Sequence, residues 1–168
     1  AYLEEMRGLA DGAGVDFEEI LALNVRTELL NSSADAPAEC TALSLVAPAT
    51  EGGRVIAAQN WDYLSGQRDA VVLVRIPAHD NCPDIFMLTE AGIIGGKGMN
   101  GAGIALTLNA VSGAKARPAE PLHIRMRRVL ECRDFNGAYL AAACGPAASP
   151  AHLLITHRDG LSLSIELD

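Results

Sequence analysis

Aromatic residues are scarce in this sequence, at 4 % of 168 positions, although 49 % of its residues are hydrophobic. The core must therefore be built from Ala, Leu, Ile and Val, and the length suits one domain. The longest uncharged stretches are interrupted by Gly or Pro, so the sequence predicts neither a membrane span nor a signal peptide. We expect no membrane partner.

Basic residues are also few: 13 Lys and Arg stand against 21 Asp and Glu, which gives a net charge of −8. A protein that binds nucleic acid needs clustered Lys and Arg to neutralise phosphates, so the composition argues against such a partner. One basic cluster is present, at Arg125, Arg127 and Arg128. We predict that it forms the solvated face of a helix.

The four cysteines show no pairing pattern. None belongs to a C-x-x-C pair and no His-x-x-x-His accompanies them, which argues against a structural zinc site and a disulfide framework. We therefore predict no metal and no cofactor. Free thiols are typical of a reducing compartment, so we predict a cytoplasmic protein. The cysteines are Cys40, Cys82, Cys132 and Cys144.

The pattern of the chain changes at residue 40. Residues 2–12 predict a helix, and a second helix is expected from an N-cap at Asp16 toward Leu30, before a polar linker. We interpret residues 1–39 as a helical pro-segment or small chain and 40–168 as the N-terminal part of a catalytic domain. The predicted strands are 40–47, 55–62, 70–76, 85–89, 104–111, 152–157 and 161–167, and the later helices are 121–132 and 134–144. This order predicts an α+β fold with an antiparallel sheet.

A glycine-rich segment connects the fourth and fifth predicted strands. Gly96, Gly98 and Gly101 match the spacing G-x-G-x-x-G of dinucleotide-binding proteins. That fingerprint requires a helix directly after the glycines, whereas residues 104–108 alternate as a strand. We therefore disfavour a nucleotide-binding module, which would bind NAD or ATP, and expect turns and close backbone approach.

Cys40 follows the polar linker and opens a strand. A thiolate attacks carbonyl carbons but needs a base or a lowered pKa. If the Glu39–Cys40 bond were cut, the new α-amino group, with a reference pKa of about 7.7–8.0, would lie beside the sulfur as a base. The alternative is an ordinary buried thiol.

Polar residues on two other strands are candidate partners of Cys40. Asp62 ends the strand expected to pair with that of Cys40, where a carboxylate could hold an amine, and Trp61 would form an apolar wall. Asn109 interrupts an apolar strand and could donate to an oxyanion, a role worth about 2.7–4 kcal/mol in a well-studied enzyme. The alternatives are a polar strand end and a hydrogen-bonded amide at the sheet edge.

The histidines show no pattern with Cys40, and we expect each to be a surface residue or to be satisfied by internal hydrogen bonds. They are His79, His123, His152 and His157.

Six short motifs in this order resemble one family. They are residues 4–12, 23–28, 40–41, 59–62, 89–95 and 100–105. In combination they resemble the acyl-coenzyme A:6-aminopenicillanic acid acyltransferase family of N-terminal nucleophile hydrolases. The resemblance implies a four-layer αββα sandwich. Because this chain begins without Met and ends on a strand, we expect a piece of a longer protein, incomplete at the C-terminus.

The resemblance also assigns roles to individual residues. It implies that Cys40 is the nucleophile, that Asp62 contacts its freed amine, and that Asn109 serves the oxyanion. Gln59 stands where the choloylglycine hydrolase branch has an arginine, and we expect it and Trp61 to contact substrate. Two residues beside the cysteine differ from the fungal acyltransferase of this family. Glu39 replaces the glycine that precedes the cysteine, and Ala42 replaces the threonine two residues after the cysteine. Both changes weaken the expectation of self-cleavage.

We accordingly predict a self-processing amidohydrolase or acyltransferase that acts on acyl amides such as an N-acyl amino acid, a peptide or a β-lactam side chain. A coenzyme A thioester is a further candidate substrate. The competing hypothesis is an inactive remnant or binding module on the same scaffold. We expect a homo-oligomer or association with a missing C-terminal part.

Overall fold

A computed structural model describes residues 1–30, 39–111, 113 and 115–168, without the side chain of Glu39. Residues 31–38 of the predicted polar linker, 31–39, lie outside the described residues, and the backbone of Glu39 begins a strand instead of ending the linker. None of the described helices is long and apolar enough to cross a membrane. The helices are α1 (Tyr2–Ala13), α2 (Phe17–Asn24), α3 (Arg26–Leu30), α4 (Leu122–Leu130) and α5 (Phe135–Ala143). The strands are β1 (Glu39–Leu45), β2 (Ile56–Asp62), β3 (Val71–Ile76), β4 (Ile85–Glu90), β5 (Lys97–Asn100), β6 (Ile104–Asn109), β7 (Ala151–His157) and β8 (Leu161–Leu167).

The N-terminal helices begin and end near the predicted residues, with one difference. Gly14 closes α1 in the left-handed conformation at φ 68°, as expected for glycine after a helix. At the start of α2, Glu19 Oε2 accepts the backbone N–H of Asp16 at 3.1 Å. The single helix expected from residue 17 toward Leu30 is instead two, because Val25 leaves the helical conformation at φ −113°.

The strands form two antiparallel sheets. Among the described strands, β1 pairs only with β2, and β3 to β8 form a six-stranded sheet in which sequential strands are neighbours. Helices α4 and α5 contact the six-stranded sheet on one side, while β1 and β2 contact β6. The layer order is therefore helices, large sheet and small sheet, and the predicted α+β architecture with antiparallel sheets is confirmed.

Strand β5 lies inside the glycine-rich segment, where the sequence predicted an irregular connection; that prediction was wrong for residues 97–100. The expectation of close backbone approach is confirmed. A Cβ on Gly98 would lie 2.2 Å from the carbonyl oxygen of Phe86, and one on Gly95 would lie 1.8 Å from that of His123. No helix follows these glycines, since β6 begins at Ile104.

The main core lies between the six-stranded sheet and helices α4 and α5, and it contains almost no aromatic side chain. Its most deeply buried members, at 0–2 % exposure, are Ile85, Met87, Ile104, Leu106, Met126, Val129, Leu130, Ala138, Ala142, Ala151, Leu153 and Ile155. Burying a side chain of the Val, Leu, Ile or Met type contributes about 1.5–3 kcal/mol. This cluster therefore holds the sheet and the two helices in one unit.

The basic cluster on α4 corrects a prediction. Arg125 and Arg127 are 0 % and 3 % exposed, so they do not form a solvated face, although Arg128 is partly exposed. Arg125 donates to the carbonyl oxygens of Ala142 at 2.7 Å and Pro146 at 2.8 Å. Charge on a helix predicts exposure only when no partner is present, and here α5 and the following turn supply a ring of carbonyls.

The N-terminal helices pack on the large unit through a small second core. Met6, Ala10 and Ile20 are buried against Ile94, in the loop after β4. Arg127 adds an ion pair of 2.9 Å to Glu5 on α1. Residues 1–30 therefore lie against the same loop that leads into β5.

Candidate active site

The hairpin of β1 and β2 positions Cys40. The register places Cys40 opposite Trp61 and Glu39 opposite Asp62. Cross-strand partners point to the same face of a sheet, so the side chains of Cys40 and Trp61 share a face. The predicted pairing of these two strands is confirmed, and it brings the end of β2 beside the start of β1.

Cys40 lines a narrow cavity of about 100 Å³ at this end of the hairpin. Two of the predicted residues, Trp61 and Asp62, line the same cavity. Cys40 is partly buried. All four cysteines lie in the described part of the chain, and none of them forms a disulfide. The remaining lining residues are Arg26, Thr27, Leu30, Tyr63, Glu90, Lys97, Leu108, Ala110, Leu122, His123 and Pro150.

Gln59 and Asn109 contact each other beside this cavity and are not among its lining residues. Gln59 Nε2 donates to Asn109 Oδ1 at 3.1 Å and to the carbonyl of Leu108. Asn109 Nδ2 lies 3.0 Å from His152 Nδ1 on the neighbouring strand. The amide of Asn109 is thus held at the sheet by two side chains, while its neighbour Leu108 borders the cavity.

A buried ion pair forms one wall of the cavity. Arg26 on α3 donates to both carboxylate oxygens of Glu90 at 2.7 and 2.6 Å, and Glu90 is 4 % exposed. The guanidinium carbon of Arg26 also lies 5.2 Å from the ring centroid of Tyr63. Two-point contact of this kind fixes the orientation of both side chains.

A second cation, Lys97, lies against Trp61. Its Nζ is 3.1 Å from the centroid of the indole ring, which is a cation–π contact. Burial lowers the pKa of Lys97 to about 8, while the neighbouring Cys40 and Glu90 act in the opposite direction. Among the described side chains, no carboxylate forms an ion pair with Lys97.

His123 is the one histidine that lines the cavity. Its Nδ1 donates to the carbonyl of Gly95 at 3.2 Å, and its Nε2 lies 3.3 Å from Thr27 Oγ1. Burial, assisted by the charge of Arg26, lowers the pKa of His123 to about 4. The ring is neutral at pH 7 and both nitrogens are engaged, so the expectation of a satisfied histidine is confirmed here.

A larger cavity of about 720 Å³ lies between β2 and the six-stranded sheet. It shares Trp61 and Lys97 with the narrow cavity. Thr107 and Thr156 line it with buried hydroxyls that have no hydrogen-bond partner in the described part of the chain. Among the described residues, no group of three or more His, Cys, Asp or Glu is arranged to hold a metal ion.

Sequence reasoning missed several cavity residues. Arg26 and Glu90 lie within the motifs 23–28 and 89–95 but received no role, since their pairing joins positions 64 residues apart. Lys97 stands between Gly96 and Gly98, and the glycine spacing alone assigns it no role. A charged residue between glycines at the edge of a strand is the signal that could have identified it.

The comparisons with known proteins agree on one family. A family model described as acyl-coenzyme A:6-aminopenicillanic acid acyl-transferase matches residues 49–167. A relative from Emericella nidulans, named the acyl-coenzyme A:6-aminopenicillanic-acid-acyltransferase 40 kDa form, is 35 % identical over 151 residues. The alignment covers 88 % of this chain and 41 % of the relative. The chain thus spans about two-fifths of the length of that relative, and the family match begins after Cys40.

Proposed function

Because this chain belongs to the acyl-coenzyme A:6-aminopenicillanic acid acyl-transferase family, we propose that it is the nucleophile-bearing part of a cysteine-dependent acyltransferase or amidohydrolase. The observation that carries the proposal is the shared cavity of Cys40, Trp61 and Asp62. It supplies a thiol, a carboxylate and an apolar wall at one strand end. This proposal includes a cytoplasmic location.

Cys40 is the nucleophile in this proposal. Its thiolate attacks the acyl carbon of an amide or a thioester, so that a C–S bond to the enzyme forms. The C–N or C–S bond of the substrate then breaks, and the leaving amine or thiol takes up a proton. Water or an amine attacks the acyl-enzyme in the second half, which gives hydrolysis or transfer from one intermediate.

The base in this proposal is the α-amine of Cys40. In the uncut chain that nitrogen is the peptide nitrogen between Glu39 and Cys40 in β1, and it cannot act as a base. Cleavage of this bond would free an amine whose reference pKa of about 7.7–8.0 suits a general base at neutral pH. The register that pairs Glu39 with Asp62 puts a carboxylate-bearing residue beside that bond.

Other roles from the resemblance extend the proposal. Asn109 is proposed as the oxyanion donor, for which its Nδ2 would have to leave the 3.0 Å contact with His152 Nδ1, while Gln59 donates to its Oδ1. Trp61 forms the wall against which the acyl group packs. The substrate is a small acyl amide or thioester, with an acyl-coenzyme A among the candidates.

We also propose that a further part of the protein completes this unit, with 40–168 as the first part of its catalytic domain and 1–39 as a pro-segment or small chain. Leu73, Phe86 and Met99 share the face of the large sheet that lines the 720 Å³ cavity, and they are 65 %, 49 % and 57 % exposed. Apolar surface of this extent on one face is typical of a contact surface. Residues 1–168 alone should therefore turn over acyl amides poorly.

Intact mass spectrometry of the longest available form tests the proposal. Wild-type protein should split between Glu39 and Cys40, and Cys40→Ala should remain whole. Cys144→Ala, which changes an exposed thiol, is the matched control and should split as the wild type does. An unsplit wild-type chain that also resists acylation by a reactive ester would instead support an inactive scaffold.

A further inference from the structure

Lys97 lies at the junction of the two cavities, and the proposed chemistry above does not use it. It begins β5, and its Nζ lies 3.1 Å from the ring centroid of Trp61. Trp61 is the cross-strand partner of Cys40. Lys97, Trp61 and Cys40 also line the same narrow cavity. The indole therefore holds the ammonium group on the Cys40 side of the small sheet.

The charged groups around Lys97 leave its charge largely uncompensated. Glu90 on β4 engages Arg26 on α3 with both carboxylate oxygens. Asp62 on β2 and His123 on α4 line the same cavity, and His123 is neutral at pH 7 because burial lowers its pKa to about 4. Within the described side chains, Lys97 is thus the one cavity cation without a carboxylate partner.

We propose that Lys97 is a positioning residue whose ammonium group sets the protonation state of Cys40. A cation beside a thiol favours the thiolate, and a cation beside an α-amine disfavours a second ammonium. The thiolate is the form that a nucleophile requires, and the uncharged amine is the form that a base requires. The inference rests on the proposed function in taking Cys40 as the nucleophile.

The titration of Lys97 itself supports this role. Burial lowers the pKa of Lys97 to about 8. Most molecules therefore carry the ammonium charge at pH 7, and the charge is lost as the pH rises through about 8. That range overlaps the reference pKa of a thiol, about 8.5.

Alkylation of Cys40 by iodoacetamide tests the proposal without acyl turnover. The rate at Cys40 is read from its peptide by mass spectrometry, from about pH 6 to about pH 10, on the longest available form of the protein. Lys97→Met should raise the midpoint by about one pH unit and slow alkylation at neutral pH about tenfold. Lys97→Arg, which keeps a cation, should restore most of the rate.

Two controls are built into the chain. The sequence holds one other lysine, Lys115, which is exposed, so Lys115→Met should leave the Cys40 profile unchanged. Cys144 is exposed and should react at the same rate in every variant. Lys97→Gln gives a second neutral replacement in case Lys97→Met fails to fold.

An unchanged Cys40 midpoint in a folded neutral variant would overturn the proposal, as would a rate in Lys97→Arg no better than in Lys97→Met. Its failure is separate from failure of the proposed function. The alkylation profile is measured whether or not the Glu39–Cys40 bond is cut, and the mass measurement does not involve Lys97.

Discussion

The side chain of Asn24 is hydrogen-bonded to the backbone of Ile94, which lies 70 positions away in the sequence. Its Oδ1 accepts the N–H of Ile94 at 2.9 Å, and its Nδ2 donates to the carbonyl of Gly92 at 2.8 Å. Asn24 is fully buried. This one amide therefore ties the end of α2 to the loop that leads into β5 and Lys97.

Asn24→Leu should destabilise the protein by about 2–4 kcal/mol, because it leaves a backbone N–H and a carbonyl buried without partners. Urea unfolding followed by circular dichroism measures the change. Asn136→Leu makes the same replacement at an exposed position of α5 and should cost no more than about 0.5 kcal/mol. Equal costs for the two variants would contradict the role given to Asn24.

Arg125→Met should destabilise the protein by about 3 kcal/mol or more. The fully buried guanidinium group donates to the carbonyls of Ala142, Gly145 and Pro146 and pairs with Glu120. Its removal leaves the carbonyl of the buried Ala142 without this donor and Glu120 without this partner. Thermal unfolding measures the effect. Arg128→Met removes a partly exposed arginine from the same helix and should cost about 1 kcal/mol or less. A small loss for Arg125→Met would mean that water replaces its contacts.

The sequence allowed prediction of what depends on local pattern. Alternation and turn residues predicted seven of the eight strands that the structure describes. Strand β5 was missed because its residues Lys97–Asn100 contain glycine and one methionine and no alternating pattern. The buried state of Arg125 could not be predicted, since its partners are carbonyls of α5 and the turn after it. Charge at positions 125, 127 and 128 carried no information about those partners.

At the candidate site, too, local pattern predicted some contacts, while contacts between separate elements could not be predicted. Cys40, Trp61 and Asp62 could be placed together because a hairpin joins them along the chain. The Arg26–Glu90 pair and the approach of Lys97 to Trp61 depend on how separate elements pack, which one sequence does not encode in any local pattern.

His123 should make stability fall in acid. Its pKa in the folded protein, about 4, lies below the usual 6.5, so the unfolded chain binds more protons between these values. The free energy of unfolding should therefore fall as pH drops from about 6.5 to about 4, by about 3 kcal/mol in all. Urea unfolding across this range in wild type and His123→Gln isolates the contribution.

The glutamine variant can keep both hydrogen bonds but has no titrating ring, so its curve should be flatter over this window. His79→Gln changes an exposed histidine and should reproduce the wild-type slope. An identical slope in His123→Gln would show that other groups cause the acid sensitivity.

Glu90→Gln should destabilise the protein by about 2–3 kcal/mol. The change leaves Arg26 without its carboxylate partner, and the cost is below the roughly 3–5 kcal/mol of a fully buried pair because Arg26 keeps some contact with water. Arg26 is 19 % exposed against 4 % for Glu90. Glu166→Gln is the control, on the edge strand β8. The double variant Arg26→Met with Glu90→Gln should recover part of the loss, and an additive loss would refute the pairing.

Asp62→Asn tests the proposed contact between this carboxylate and the freed amine of Cys40. Asp62 is exposed at the cavity mouth, so the change should hardly alter stability. Loss of the negative charge removes the group that orients the amine, and acylation of processed protein by a reactive ester should slow about tenfold or more, with a lower pH midpoint. Asp69→Asn changes another exposed aspartate and should acylate like wild type. If Asp62→Asn acylates at the wild-type rate with the same pH profile, the carboxylate does not act on the amine, and another group must hold it.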